Sequence, residues 1–207
     1  MSFYLYGASG HAKVIVEILE KSGEAITGLF DDNKKIVELL GYKCINYSKN
    51  AIENNNFLII SIGDNWIRKK IADKLRNDNI NFGVARDKTS IVSERSKLGF
   101  GTVVMPGSVI NSVSIVGVHS IINTNSSVDH DCIIEDFVHI SPGVTISGNV
   151  TVGEGTHIGS GACVLPNLNI GKWCSIGAGA VIINDIPDYS IVVGNPGKII
   201  RTVNYEK

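Results

Sequence analysis

A branched or long aliphatic residue recurs at every sixth position across the second half of this 207-residue chain. The series is Val92, Leu98, Val104, Ile110, Val116, Ile122, Val128, Ile134, Ile140, Ile146, Val152, Ile158, Val164, Ile170, Ile176 and Ile182. Val, Ile and Leu fill about a third of the segment, so chance alone would give such a run on the order of once in 10⁸ registers; this is a true short-period repeat. Four residues after each aliphatic comes a second phased position, occupied mostly by small residues such as Thr102, Ser108, Ser114, Ser120, Ser126, Cys132, Ala162, Cys174 and Ala180. One large aliphatic and one small residue per six describe a short strand, a tight corner and a turn into the next face. Three faces close a triangular coil of about 18 residues, and the repeat predicts a parallel β-helix of about five coils.

The rest of the chain is of a different kind. Before residue 85 the pattern alternates strand and helix. Phe3–Tyr6 is a short apolar strand, followed by Gly7-Ala8-Ser9-Gly10 and by Val14, Ile15, Ile18 and Leu19 at helical spacing. Ile26–Phe30 reads as a second strand ending in Asp31-Asp32. Phe57–Ile62 reads as a third, uniformly apolar as buried parallel strands are, and runs into Gly63-Asp64-Asn65 and a helix over about Trp66–Arg76. Asn81–Ala85 is a candidate fourth strand. Strand–helix alternation implies a parallel sheet with crossover helices, here an α/β Rossmann-like domain over residues 1–85, followed by an all-β parallel β-helix over residues 86–207 with a hinge at 86–91.

Charge narrows the class of partner. The formal net charge is −1 with both signs interspersed, which argues against nucleic acid or an anionic membrane. Cys44, Cys132, Cys163 and Cys174 share no metal-ligand spacing and read as free thiols in a reducing compartment. The opening residues lack the basic region and cleavage site of a signal peptide, and no apolar run is long enough to span a bilayer, so a cytoplasmic protein without membrane insertion is expected.

Two regions carry chemistry. Gly7-Ala8-Ser9-Gly10-His11 sits where a strand turns into a helix, and the free N–H groups of a helix start favour phosphate. Asp31 and Asp32 follow about 20 residues on, where an acidic side chain commonly contacts a ribose or base. The motif is not G-x-G-x-x-G, so a nucleotide diphosphate fits it better than NAD, and a glycine turn that merely joins strand to helix is the plain alternative. Gly63-Asp64-Asn65 is expected on the same carboxyl edge of the sheet. Arg68 is expected either to meet a phosphate or to lie in solvent. In the repeat, Asp129-His130-Asp131-Cys132 sets an imidazole between two carboxylates on a corner; neutral histidine suits proton acceptance near pH 7, and a carboxylate can fix its tautomer. Residues 18 apart stack on adjacent coils, about 4.8 Å apart. Gly148 therefore lies beside His130, where its N–H can hold the oxygen of a polarised carbonyl. His139 and His157 stack in the same way, as a ligand-lining stripe or as ordinary corner residues. Asn123 lies near the same face and is open to the same two readings.

Those residues together resemble a known family. Tyr6-Gly7-Ala8-Ser9-Gly10-His11, Asp31-Asp32, Ile62-Gly63-Asp64-Asn65 with Ile67-Arg68-Lys69-Lys70, Ile122-Asn123-Thr124, Asp129-His130-Asp131-Cys132 and Gly194-Asn195-Pro196 make the whole chain similar to the bacterial nucleotide-sugar N-acetyltransferases of the left-handed β-helix superfamily. These include enzymes that acetylate UDP-linked 4-amino sugars, and the sialic acid O-acetyltransferase and perosamine N-acetyltransferase groups look similar too. The resemblance implies a left-handed coil, against the usual right-handed crossover preference, and a homotrimer with acetyl-coenzyme A sites between adjacent solenoids. It implies His130 as general base with Asp131 as its orienter. Asn123 and His139 would take substrate- and thioester-contacting positions, and the Gly148 N–H would hold the thioester oxygen. Ser9, Gly10, His11, Asp31, Asp32 and Gly63 would face the nucleotide sugar, with Asp32 toward the base, and Gly194, Asn195 and Pro196 would close over coenzyme A. Two departures stand out: aspartate on both sides of His130 where some close relatives carry glutamate, and Gly197 where alanine is frequent.

The expected reaction is direct attack of a 4-amino group on the thioester, with acetyl-coenzyme A as cosubstrate and no metal. A hydroxyl acceptor, such as sialic acid, is the alternative that the same base would serve. Zinc-dependent chemistry of the kind some left-handed β-helix trimers perform would need an H-x₄-H pair, which this sequence lacks. A non-catalytic binding trimer is the remaining class.

Overall fold

The computed structural model describes residues 1–48, 51–52 and 55–203. Its first part is a six-stranded sheet built on β1 (Ser2–Tyr6), β2 (Ala25–Phe30), β3 (Glu38–Leu39), β4 (Tyr42–Ile45), β5 (Phe57–Ile60) and β6 (Asn81–Phe82), in the order β3-β4-β2-β1-β5-β6. The strands β1, β2 and β5 run parallel, with Tyr6 paired to both Phe30 and Ile60. That register brings Gly7, Asp31 and Ser61 to one carboxyl edge. Helix α1 (Gly10–Ser22) buries Ala12, Ile15, Val16, Ile18 and Leu19, and stops where Gly23, at φ 77°, turns its N–H back to Glu20 O and Leu19 O. Helix α2 (Asn65–Leu75) is capped by Asp64, whose side chain accepts from Ile67 N–H at 2.8 Å. The β3–β4 hairpin went unread in the sequence; its turn is Leu40-Gly41, both at positive φ, in a run too short to show a period of two.

The second part is the β-helix. Its first face stacks Ala85–Arg86, Val103–Val104, Ile121–Ile122, His139–Ile140, His157–Ile158 and Ser175–Ile176 in parallel, 18 residues apart until the last step to Ser190–Val193. The second face runs from Ile91–Val92 to Val181–Ile182 and the third from Lys97–Leu98 to Asn169–Ile170. The third face has five strands, which counts the complete coils. The segment 86–91, expected as a hinge, already belongs to the first coil, because Ala85 and Arg86 pair with Val103 and Val104.

Each corner turns by the same device. Every sixth residue from Gly101 to Gly179 has positive φ, whether Gly, Asn or a bulkier residue such as Val113, His119, Asp131, Phe137 and Trp173. A bulky residue costs free energy in that region of conformational space, which the stacked neighbours must offset. The small inward residues tie coil to coil. The Ser120 hydroxyl donates to Glu135 O and accepts from Val138 N–H, and Thr102, Ser114 and Thr156 do the same one or more coils away. A buried hydroxyl satisfied as donor and acceptor costs little in an otherwise aliphatic core.

Arg68 joins the two parts. Expected at a phosphate or in water, it is instead 1% exposed. Its Nε donates to His119 O at 2.8 Å, Nη2 to Phe137 O at 2.9 Å and Asn65 Oδ1 at 2.8 Å, and Nη1 to Ile62 O at 2.8 Å and Gly63 O at 3.1 Å. Helix periodicity cannot reveal this, since the buried face of α2 is defined by the solenoid corner it meets. Asn65 adds bonds to Gly155 O and Thr156 O, and Trp66 meets Trp173 edge-on with ring centroids 5.0 Å apart. Hydrogen bonds to charged groups contribute about 1.5–3 kcal/mol each, so Arg68→Met is expected to cost at least ~3 kcal/mol. A urea midpoint unchanged by that substitution would contradict the clamp.

Candidate active site

On the carboxyl edge of the sheet, Gly7 takes φ 111°, and a Cβ there would meet Ile62 Cγ1 at 2.7 Å. Glycine lets β1 leave the sheet in this crowded place. Ala8 N–H donates to Asp31 Oδ2 at 2.8 Å, and Asn33 N–H to Asp31 Oδ1 at 2.8 Å, so both oxygens of Asp31 hold the loop itself. Asp32 is more open: its Oδ1 accepts from the Tyr6 hydroxyl at 2.8 Å, with Lys74 Nζ 3.4 Å away. Ser9 caps α1 without a side-chain bond, and Ser9 and Gly10 are exposed at the helix start. His11 follows on α1, with its Nε2 buried and unpartnered.

Against this edge stands the first face of the β-helix. The His139 and His157 rings stack with centroids 4.9 Å apart and 16° between planes, while the His11 ring lies 6.5 Å from that of His139. His139 Nδ1 is 3.2 Å from Gly63 O, and its Nε2 is 2.9 Å from Asn123 Nδ2. His157 Nε2 shares a 2.7 Å hydrogen bond with the Ser141 hydroxyl. Burial pushes His139 down to about 3, helped by the nearby His157, Arg68 and His11, and pushes His11 to about 4. These rings stay neutral at pH 7. Beside them opens a cleft of about 400 Å³, lined by Gly63, Asn65, Trp66, His157, Trp173 and Ser175 among others.

His130 is differently placed. It lies on the corner between the second and third faces, exposed to solvent, with Nδ1 2.8 Å from Asp131 Oδ2. Asp131 occupies the positive-φ position of that corner, at 60°, which aspartate tolerates better than most residues. Asp129 accepts from His130 N–H at 2.9 Å and from Asn111 Nδ2 at 2.8 Å. Asn111, missed in the sequence, was within reach of the 18-residue stacking rule. The Asp131 hydrogen bond and then the Asp129 charge hold the His130 imidazole above the ordinary histidine value. A Cβ on Gly148 would meet His130 Cε1 and Nε2 at 2.7 Å, so the ring lies over the glycine. Among the described residues no acceptor takes the Gly148 N–H.

The chain therefore brings together His11, Gly63, Asn123, His139 and His157 on one side, and Asn111, Asp129, His130, Asp131 and Gly148 on another corner. The Gly194-Asn195-Pro196 turn, with a cis Asn195–Pro196 bond, joins Ser190–Val193 to the antiparallel strand Lys198–Thr202 at the end of the first face. A Cβ on Gly197 would meet Ile182 Cδ1, the flexible end of that side chain, at 2.8 Å and Val181 O at 3.2 Å. Among the described residues no cluster of three or more His, Cys, Asp or Glu is placed to hold a metal, and no helix is long and apolar enough to cross a membrane.

An α/β edge set against a solenoid with a histidine–carboxylate corner defines the class: a hexapeptide-repeat acyltransferase. Residues 2–75 match the model of the PglD N-terminal domain, and residues 131–166 and 149–184 match that of the bacterial transferase hexapeptide repeat. A histidine-to-asparagine variant of perosamine N-acetyltransferase from Caulobacter crescentus, solved with CoA and GDP-perosamine, is 33% identical over 97% of each chain, with a TM-score of 0.92. The acetyltransferase domain of PglB from Neisseria gonorrhoeae is 33% identical over 96% of this chain and 99% of its own, with a TM-score of 0.90. WeeI from Acinetobacter baumannii is 26% identical over 97% of this chain and all of its own, at 0.89. The chain also matches uncharacterized protein L142 of Acanthamoeba polyphaga mimivirus at 35% identity over 75 residues, spanning only 15% of that protein's length. The chain belongs to the family of bacterial nucleotide-sugar N-acetyltransferases with a left-handed β-helix.

The five histidines should separate by pH. In an NMR titration, the His130 ring is expected to titrate above 6.5, and His11, His119 and His139 to remain neutral down to about pH 5. Asp131→Asn should bring the His130 midpoint down; an unmoved midpoint would contradict the pairing.

Proposed function

We propose that the protein transfers acetyl from acetyl-coenzyme A to the 4-amino group of a nucleotide-linked amino-deoxy sugar, with His130 as general base and Asp131 as its orienter. The coarser statement, acetyl transfer to an amino sugar, follows from the family. The observation that carries the finer one is the solvent-facing His130 ring, bonded to Asp131 and packed against Gly148, whose N–H meets no acceptor among the described residues.

A carboxylate only accepts, so His130 Nδ1 carries the hydrogen and Nε2 keeps its lone pair. The sugar amine adds to the thioester carbonyl, whose oxygen gains negative charge beside the Gly148 N–H. His130 Nε2 takes the amine proton as the C–N bond forms. The C–S bond then breaks, and the imidazolium returns the proton to the departing thiolate. Ser9, Gly10 and His11 at the start of α1 suit the diphosphate, and Asp32 suits the base.

His130 lies on a corner away from the first face that carries His139 and its partner Asn123, which supports a site completed between copies. A homotrimer with acetyl-coenzyme A between adjacent solenoids, under the Gly194-Asn195-Pro196 turn, fits that division. The half-exposed Val113, Ile115 and Ile133 near the His130 corner suit burial against a neighbour. In this trimer each His130 faces the first face of the next copy.

The test is thiol release from acetyl-coenzyme A with UDP-, GDP- and dTDP-linked 4-amino-6-deoxy sugars, beside sialic acid. Turnover with one amino sugar would support the reading and name the nucleotide; turnover on sialic acid alone would replace it with O-acetylation. His130→Ala is expected to lower kcat about 10²–10⁴-fold with acetyl-coenzyme A binding retained, and full turnover in that variant would sink the base. Because the base must be neutral, the rate should rise with pH through a midpoint above 6.5, and Asp131→Asn should shift that midpoint lower.

A further inference from the structure

Both ring nitrogens of His139 are engaged within the chain, and the partners dictate their protonation. Asn123 Oδ1 accepts from Thr124 N–H at 2.8 Å, which orients the amide and turns Nδ2 toward His139 Nε2, 2.9 Å away. An amide nitrogen donates and does not accept, so Nε2 must offer a lone pair. On the other side Nδ1 lies 3.2 Å from Gly63 O, a carbonyl that only accepts, so Nδ1 must carry the hydrogen. Two independent partners thus select one tautomer. The groups packed around the ring are His11, His157 and the Arg68 guanidinium, all of which oppose a positive charge there.

The result is a continuous chain of hydrogen bonds from the loop after β5, through His139, to Asn123 on the β-helix. His139 has no polar atom left for a ligand. Asn123, half-buried, keeps one donor, the second hydrogen of Nδ2, besides a second lone pair on Oδ1. We propose that His139 is a positioning residue, held as the neutral Nδ1–H tautomer, which acts on acetyl transfer only through Asn123 by aiming that remaining N–H at the acceptor sugar. The Gly63 carbonyl makes the aim depend on where the nucleotide-binding edge sits. This role rests on the acetyl-transfer reading above; the tautomer does not.

Two measurements test it. Long-range ¹H–¹⁵N correlation on the full-length protein, without ligand, should show His139 with Nδ1 protonated and Nε2 unprotonated from pH 6 to 8. An Nε2–H tautomer, or titration near the ordinary histidine value, would overturn the proposal whatever the enzyme acetylates. A double-mutant cycle then reads the function, using acetyl-coenzyme A and the amino sugar that gives turnover. His139→Ala is expected to lower kcat about tenfold or more in the wild-type background but less than about threefold when Asn123→Ala is already present. His139→Gln, whose amide oxygen can accept from Asn123, should recover most of the loss. Losses that multiply, or a glutamine variant no better than alanine, would mean that His139 touches substrate directly. A wild-type protein silent on every amino sugar would overturn the transfer reading and with it the role, while the spectrum would still decide the tautomer.

Discussion

One buried guanidinium sets the relation between the sheet edge and the β-helix. Taking a charge out of water costs several kcal/mol, which only a full set of acceptors offsets. Arg68 finds them in four carbonyls and one amide oxygen, drawn from the loop after β5, from Asn65 on α2 and from the corners at His119 and Phe137. Burial lowers its affinity for the proton and the Asp64 charge opposes that, but the group stays cationic at neutral pH. Because hydrogen bonds are directional, the contact fixes angle as well as distance. Gly63 consequently reaches His139, and the loop and the first face form one wall of the site.

The corners explain why chemistry can be added to so regular a scaffold. The core asks only for an aliphatic and a small residue per hexapeptide, and the small residue's hydroxyl is consumed by its neighbours. The positive-φ residue and the one before it project outward, where the core itself makes no demand on them. At one corner they are Asp131 and His130; at others they are Asn149, Asn167 or glycine. A turn that elsewhere needs a residue tolerant of left-handed backbone here receives an aspartate adjacent to a histidine, so the geometry of the turn also supplies the carboxylate–imidazole hydrogen bond.

That division decides what the sequence makes legible. The faces, the stacking of His139 on His157 and the position of Gly148 under His130 all follow from a period of 18, because in a solenoid sequence separation is distance. The α/β part offers no such ruler. Its strands and helices are readable from apolar runs, glycine and caps, yet the burial of Arg68 and the reach of Gly63 to His139 depend on tertiary docking that no local pattern encodes. The β3–β4 hairpin was hidden for a third reason, its strands being shorter than the period that would reveal them.

The two groups of histidines show how one side chain is given opposite tasks. Those between the sheet edge and the β-helix are desolvated and lie near Arg68, so both effects favour the neutral ring. They serve as rigid, uncharged hydrogen-bonding and stacking units. At His130 the Asp131 hydrogen bond and the Asp129 charge outweigh the slight desolvation that opposes its charge. Its surroundings favour the charged ring, which suits the general-base role proposed for it. In the inner cluster, burial and the nearby Arg68 would make the same ring a weaker base. Its station on an outer corner, away from Asn123 and His139, therefore suits the base proposed above, and on that proposal a neighbouring copy would bring the two halves of the site together.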